Sequence, residues 1–217
     1  MGASRQPAPD ELQPKHFEFT PDNLKLAQEH IAKYPQGRQQ SAVMPLLILA
    51  QRQHQGWVPR AAIETIANML EMPFIRVYEV ATFYTMYNLA PVGKYHIQCC
   101  TTTPCWLRGS DDVVKACKDE LGINFGEVTK DGKFGLSEVE CLGACVNAPM
   151  IEITTPEWDK YFEDLDYSTT RKLIKLLKKD ELPKEGSQAG RCSSEPLFGP
   201  TSLQHQQAAW QSMKQAK

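Results

Sequence analysis

Five of the seven cysteines fall in two short clusters, Cys99-Cys100-Thr101-Thr102-Thr103-Pro104-Cys105 and Cys141-Leu142-Gly143-Ala144-Cys145. Read from Cys100, they make a C-x4-C pair, a gap of 35 residues and a C-x3-C pair. Each pair begins where an alternating segment ends. Both are therefore expected at the same end of one sheet, where four thiolates make a soft, all-sulfur site. Three chemistries use such a site. Structural zinc knuckles typically wrap a single ion with C-x2-C, tighter than either span here. A [2Fe–2S] rhombus is larger, takes two terminal thiolates on each iron, and suits looser spans. Redox thiols are the third reading, although no C-x-x-C occurs. An anionic cluster needs N–H groups aimed at its sulfurs. Cys105 just before a helix start, and Gly143 in a loop able to curl its amides into a nest, are the expected sources.

The other cysteines have plainer uses. Cys99 shares a strand face with Tyr95 and Ile97, Cys117 lies on the apolar stripe of a helix, and Cys192 reads as a free thiol. None of the five histidines stands in a C-x-H or C-x-x-H pairing, which disfavours a Rieske centre. No G-x-G occurs among the 13 glycines, so neither a Rossmann fingerprint nor a P-loop can be built. On the iron–sulfur reading the chain would hold electrons, yet it shows no means of binding a nucleotide such as NADH by itself. Residues 131–166 carry nine acids against two lysines; the plain reading is a solvated face, and the sharper one is acidic charge beside a cluster, which would lower its reduction potential.

The elements that would position these residues fall into two regions. From Thr20 to Tyr84 the apolar residues recur at i, i+3, i+4 and i+7, four times over. Thr20 is the expected cap of the first helix, with Pro21 at its first position and Leu24, Ala27 and Ile31 on one face. Ser41 opens the second, with Val43, Leu46, Leu47 and Ala50, and Gly56 closes it. Pro59 starts the third, with Ile63, Ile66, Ala67 and Leu70. Pro73 precedes the fourth, with Val77, Val80, Ala81 and Tyr84. Its aromatics Phe74, Tyr78, Phe83, Tyr84 and Tyr87 are assigned mostly to the core, with docking as the alternative. Asn88 to Lys94, with Pro91 and Gly93, reads as a hinge.

Beyond it the period becomes two. Strands are expected at Tyr95–Cys99, Phe134–Glu140 and Met150–Ile153, with a tight turn at Asp131-Gly132. Helices are expected after Ser110, with Val113, Val114, Cys117 and Leu121, and after Ser168, with Leu173, Ile174 and Leu177. The fold class is α+β or α/β: an N-terminal helical bundle followed by a thioredoxin-like α/β sandwich on a mixed sheet. The expected organisation is a flexible arm (1–16), a helical docking bundle (17–90), a thioredoxin-like domain (91–181) that the iron–sulfur reading makes a [2Fe–2S] ferredoxin domain, and an extended tail (182–217) whose Leu197, Phe198 and Trp210 await another surface.

At 217 residues and 41% hydrophobic content, the chain can build a packed core. A net charge of −2 argues against nucleic acid as a partner. The longest apolar run, around Met44–Ala50, is far short of the ~20 residues of a membrane span, so no direct membrane insertion is expected. The start, Met1-Gly2-Ala3-Ser4-Arg5-Gln6, lacks a signal-peptide core, and Gln6 fails the myristoylation pattern. It is no transit peptide as it stands.

The stretches Cys100-Thr101-Thr102-Thr103-Pro104-Cys105 and Glu138-Val139-Glu140-Cys141-Leu142-Gly143-Ala144-Cys145-Val146-Asn147-Ala148-Pro149-Met150 closely resemble the thioredoxin-like [2Fe–2S] ferredoxin family of the 24-kDa subunit of respiratory complex I. Ile75 to Tyr84 and Arg38 to Ala42 resemble the same family's helical part, and the likeness covers roughly residues 17–185. It implies four cluster ligands, Cys100, Cys105, Cys141 and Cys145. It implies an iron–sulfur electron-transfer subunit of NADH:ubiquinone oxidoreductase, with FMN and NADH on a partner flavoprotein and other peripheral-arm subunits around it. In that family the cluster lies near the flavin but off the main path to quinone. The Asn-Ala-Pro wording resembles mitochondrial members, implying the matrix side of the inner membrane; the cytoplasmic face of a bacterial membrane is the alternative. A ferredoxin-like subunit of an NAD-linked hydrogenase or formate dehydrogenase is the second reading. A structural zinc-binding interaction module is the third.

Overall fold

The computed structural model describes residues 6–199 and residue 202, so the expectations placed on the first five residues and on Trp210 lie outside the described residues. Chain contacts divide it into two compact units. The first is the chain up to Ile97 with Ile123–Ser137 and Thr154–Asp159; the second is Gln98–Gly122, Glu138–Ile153 and the chain from Lys160 on.

The first unit begins with four helices whose starts follow from local chemistry. In α1 (Pro21–Ala32) the Thr20 side chain accepts the Asn23 N–H at 3.3 Å, Pro21 loses no hydrogen bond at the first position, and Asp22 meets the positive end of the helix. A 3₁₀ turn at Gln39–Ala42 leads into α2 (Val43–Gln53), so Ser41 lies within that turn and does not itself open the helix. Pro45, third in α2, sits where its missing N–H has no partner to lose. Then come α3 (Arg60–Met69) and α4 (Phe74–Phe83), each entered from a proline. The expected stripes of α2 and α3 are buried, and with Phe17, Phe19, Val77, Ala81, Tyr87 and Leu89 they form one apolar cluster. At roughly 1.5–3 kcal/mol for each large side chain, that burial holds the helices together. Two expected positions fail. Leu24 is 39% exposed, and Tyr84 leaves the helix in an extended conformation and faces solvent. Tyr87 takes the core position instead and donates its hydroxyl to the Met44 carbonyl at 3.0 Å.

The segment read as a hinge is pinned. Asn88 accepts from Val58 N–H at 2.7 Å through its carbonyl, and its side chain donates to the Gly56 carbonyl at 2.9 Å. Further on, a Cβ on Gly135 would stand 2.1 Å from the Val92 carbonyl oxygen, and one on Gly93 would stand 2.9 Å from the Phe134 backbone. Two glycines thus let two backbones touch.

One mixed sheet contains all six strands found among the described residues: β1 (Tyr95–Cys100), β2 (Glu127–Val128), β3 (Phe134–Val139), β4 (Ile151–Thr154), β5 (Asp159–Glu163) and β6 (Gly186–Ser187), in the order β2-β3-β1-β4-β5-β6. β2 pairs antiparallel with β3, Glu127 opposite Leu136, around the expected Asp131-Gly132 turn. β5 pairs parallel with β6, Phe162 opposite Gly186, so part of the segment read as tail is a strand.

Within the second unit, α5 (Thr103–Leu107), α6 (Ser110–Leu121) and α7 (Tyr167–Lys178) carry the helical share. Of the stripe expected on α6, Val113 and Cys117 are buried while Val114 and Leu121 are half-buried and Ala116 is buried in their place; Leu173, Ile174 and Leu177 of α7 are buried as the periodicity predicts. Glu120 ties the two helices, accepting from Arg171 and lying 3.5 Å from Lys178. Both expected caps move. Ser110 is the first residue of α6, behind Gly109 at φ 97. α7 is capped by Asp166, whose carboxylate accepts the Thr169 N–H at 2.7 Å while Thr169 Oγ1 accepts the Asp166 N–H at 2.8 Å.

Candidate metal centre

Cys100 is the last residue of β1, and Cys105 follows it on α5. Cys105 is the third residue of that helix, inside its first turn, which corrects its expected place before the start. Cys141 lies two residues beyond β3, and Cys145 opens a 3₁₀ turn, Cys145–Asn147, that leads to the cis Ala148–Pro149 peptide. The ends of β1 and β3 meet where Thr101 Oγ1 donates to Glu138 Oε1 at 2.8 Å.

The structure brings the four thiols together. Cys141 Sγ and Cys145 Sγ are 3.2 Å apart. Cys105 shares a hydrogen bond with the Cys100 thiol and feels Cys145 electrostatically, and Cys145 in turn feels Cys100. Exposure differs sharply between the pairs: Cys100 and Cys105 are buried, Cys145 is half-buried and Cys141 is exposed. Burial first, and the hydrogen bond with Cys100 second, push the Cys105 thiol up to about 12. The Gly143 N–H, 3.4 Å from Cys141 Sγ, is the main reason that thiol is lowered, with the Cys145 thiol adding to it. Cys145 is raised, first by its hydrogen bond with Cys141 and then by burial. Gly143 has φ 84, the left-handed conformation that aims its amide at sulfur.

Further groups serve the sulfurs. Thr102 Oγ1 is 3.2 Å from Cys100 Sγ and also hydrogen-bonds Cys141, so one hydroxyl serves both pairs. The Met150 N–H points at Cys105. Cys100, Cys105, Ala148 and Met150 form a buried apolar cluster with Leu142, Ala144 and Tyr161 against it, and Tyr161 donates its hydroxyl to the Leu142 carbonyl at 2.9 Å. Thr102 was not among the expected site residues, although its place between the two thiols was a signal that could have found it; Tyr161, on a strand with no clean pattern, gave none.

The donor set fits a [2Fe–2S] cluster: four soft thiols as two pairs, N–H and O–H groups aimed at their sulfurs, and an apolar wall beside them. Among the described residues no three or more His, Cys, Asp or Glu side chains are drawn together closely enough to hold a metal ion as they stand. Cys99 stays out of the site, fully buried with its Sγ 3.9 Å from that of Cys117 on α6. Cys192 is half-buried elsewhere in the second unit.

A mixed sheet with helices, bearing paired thiols at the ends of two adjacent strands, defines a thioredoxin-like domain of the ferredoxin class. Residues 27–178 match the model of the thioredoxin-like [2Fe–2S] ferredoxins, and the chain belongs to that family. It is 60% identical over 165 residues to a subunit of the NADH-quinone oxidoreductase of Rickettsia bellii (strain RML369-C), covering 76% of this chain and 96% of the relative. The corresponding subunit of Rickettsia typhi (strain ATCC VR-144 / Wilmington) is 61% identical over 158 residues, covering 73% and 91%. Among solved structures, the NAD+-reducing [NiFe]-hydrogenase in the H2-reduced state superposes with a TM-score of 0.53 at 19% identity. That match covers 64% of this chain and only 23% of the hydrogenase chain, a likeness of fold. The resemblance read from the two cysteine motifs is borne out; the relatives named here are bacterial.

Proposed function

We propose that the chain is the [2Fe–2S] electron-transfer subunit of the NADH-oxidising module of an NADH:quinone oxidoreductase. The observation that carries this reading is the meeting of Cys100, Cys105, Cys141 and Cys145 on the fold of a ferredoxin family. These four residues would hold the cluster, two thiolates to each iron, and when bound it supplies a site that takes up and releases one electron. The chain's own residues set the conditions. Gly143 N–H, Met150 N–H and the Thr102 hydroxyl place positive hydrogens on ligand sulfur, and the Ala148, Met150 and Tyr161 wall keeps water from the buried pair.

FMN and NADH belong to a partner flavoprotein, with other peripheral-arm subunits beside it. Apolar side chains next to the ligands support docking there: Trp106, Leu107 and Val146 are 58%, 70% and 65% exposed. In the helical segment (17–90), Ile75, Phe83 and Met86 are exposed in the same way. The ferredoxin part (91–181) keeps the cluster; the arm read at 1–16 is held by the chain itself where Ala8 N–H donates to the Leu89 carbonyl, and so is the tail read at 182–217 as far as Glu195. No described helix is long and apolar enough to cross a membrane, so other subunits would attach the chain to one. We place it on the matrix side of the mitochondrial inner membrane or, in a bacterium, on the cytoplasmic face.

Anaerobic reconstitution of the full chain tests the reading. About two irons and two sulfides per chain are expected, with a rhombic EPR signal on chemical reduction, no reduction by NADH alone, and reduction once the flavoprotein is added. A colourless, zinc-loaded protein overturns it.

A further inference from the structure

The segment Gly186 to Glu195 lies beyond the residues matched by the family model. It is nonetheless tied to the turn that begins at Cys145. Arg191 makes the tie. Its guanidinium grips Asp164 at two points, Nε to Oδ2 at 2.9 Å and Nη2 to Oδ1, and the two side chains are only 8% and 7% exposed. The same Nη2 donates to the Val146 carbonyl at 3.1 Å, and Nη1 donates to the Glu195 carbonyl at 2.9 Å. Asp164 in turn donates its N–H to the Asn147 carbonyl at 2.8 Å. The carbonyls of the two residues after Cys145 therefore both end on Asp164, one directly and one through Arg191. Asn147 is held again from its side chain, with Nδ2 donating to Glu163 Oε2 at 2.6 Å and to the Ser193 carbonyl at 3.0 Å.

The turn needs this help. Its own backbone bonds are Asn147 N–H to Ala144 and Ala148 N–H to Cys145, at 3.0 and 3.3 Å, too little to fix a ligand-bearing loop. A guanidinium suits the task because its rigid fork can satisfy a carboxylate and two carbonyls together; a lysine ammonium cannot match that geometry.

We propose that Gly186–Glu195 is a strap that positions Cys145, with Arg191 as its positioning residue. The spectroscopic half of this inference rests on the ligand assignment made above; the half that concerns the loop itself does not.

The test uses the full chain carrying Arg191→Lys, or Arg191→Met together with Asp164→Asn. The double variant avoids leaving a carboxylate buried without its partner. In the cluster-free protein, hydrogen exchange at Asn147 and Ala148 should quicken by about tenfold in the double variant, with α6 and α7 unchanged. In the reconstituted protein, cluster loss to a chelator should be faster by about tenfold and the EPR g-values should move, with Arg191→Lys in between. Unchanged exchange and unchanged cluster loss overturn the proposal. So does equal acceleration in α6 and α7, since that is general loosening. Should the parent chain take up no cluster, the ligand assignment falls, while exchange in the cluster-free protein still decides the strap.

Discussion

In the helical segment Leu46, Leu47, Ile63, Ile66 and Val77 are sealed from water, and none of them needs a polar partner. Around Cys141 and Cys145 the reverse holds: the thiols stand partly open, and the loop between them is fixed by directed contacts, Gly143 N–H to sulfur and Tyr161 to the Leu142 carbonyl. The difference is one of tolerance. Apolar burial is non-directional, so it accepts any side chain of similar volume. A ligand loop must place sulfurs to a fraction of an ångström, which only directional bonds and a specific backbone conformation achieve. Damage to one region should therefore look different from damage to the other.

The largest effect is expected at the thiols. Cys100→Ser, Cys105→Ser, Cys141→Ser or Cys145→Ser should each abolish or destabilise the cluster, read as iron content and EPR amplitude, because an oxygen donor is too hard for iron–sulfide. Cys99→Ala, Cys117→Ala and Cys192→Ala should leave the spectrum intact. A Cys99 variant that loses the cluster while the Cys100 variant keeps it would move the ligand set by one residue.

Ile66→Ala tests the opposite side of the comparison. It opens a cavity in the helical core and should cost about 2–5 kcal/mol in denaturant unfolding, with the iron stoichiometry unchanged. His96 is a polar group held as though it were apolar: it is buried, with Nε2 2.8 Å from Ser137 Oγ, and burial lowers it to about 4. An unfolded histidine takes its proton near 6.5, before the folded one does, so stability rises with pH in this window. A contribution of order 3 kcal/mol is present above about 6.5 and is lost as the pH falls toward 4. Unfolding of His96→Gln across that range should show a flatter slope; an unchanged slope removes His96 from the account.

Gly143→Val should lower cluster retention with the fold largely kept. A Cβ there meets nothing within 4 Å, so the whole penalty comes from φ 84, which a β-branched residue strongly resists. Unchanged iron content would show that the conformation is not needed. The smallest effect is expected at Asp166→Ala, which removes half of a capping box and should cost about 1 kcal/mol without touching the site.

These differences also decided what could be read from residues alone. The stripes of α2 and α3 were legible because burial writes a period into the chain, and the cysteine motifs because thiol spacing is rare and specific. Leu24 and Tyr84 misled because a stripe does not say how far along a helix the core extends. β5, Asp159-Lys160-Tyr161-Phe162-Glu163, buries only Phe162, and β6 is Gly186-Ser187, so neither alternates long enough to announce itself. The cap of α7 fell to Asp166 and not to Ser168 because Thr169 answers it reciprocally, a bond invisible in a list of good capping residues. Cys105 was misplaced because the helix expected here began after Ser110, and the five-residue α5, too short to show a period, went unread.

One seam in the first unit has a consequence for protein engineering. Gly93 and Gly135 lie far apart in the chain, yet each leaves no room for a methyl group, because the other's stretch of backbone occupies the space. A chimaera that joins the helices of one relative to the sheet of another must carry both glycines across the graft. Should either parent supply alanine at one of them, the splice will fail at that contact even though every apolar stripe and both cysteine motifs are kept.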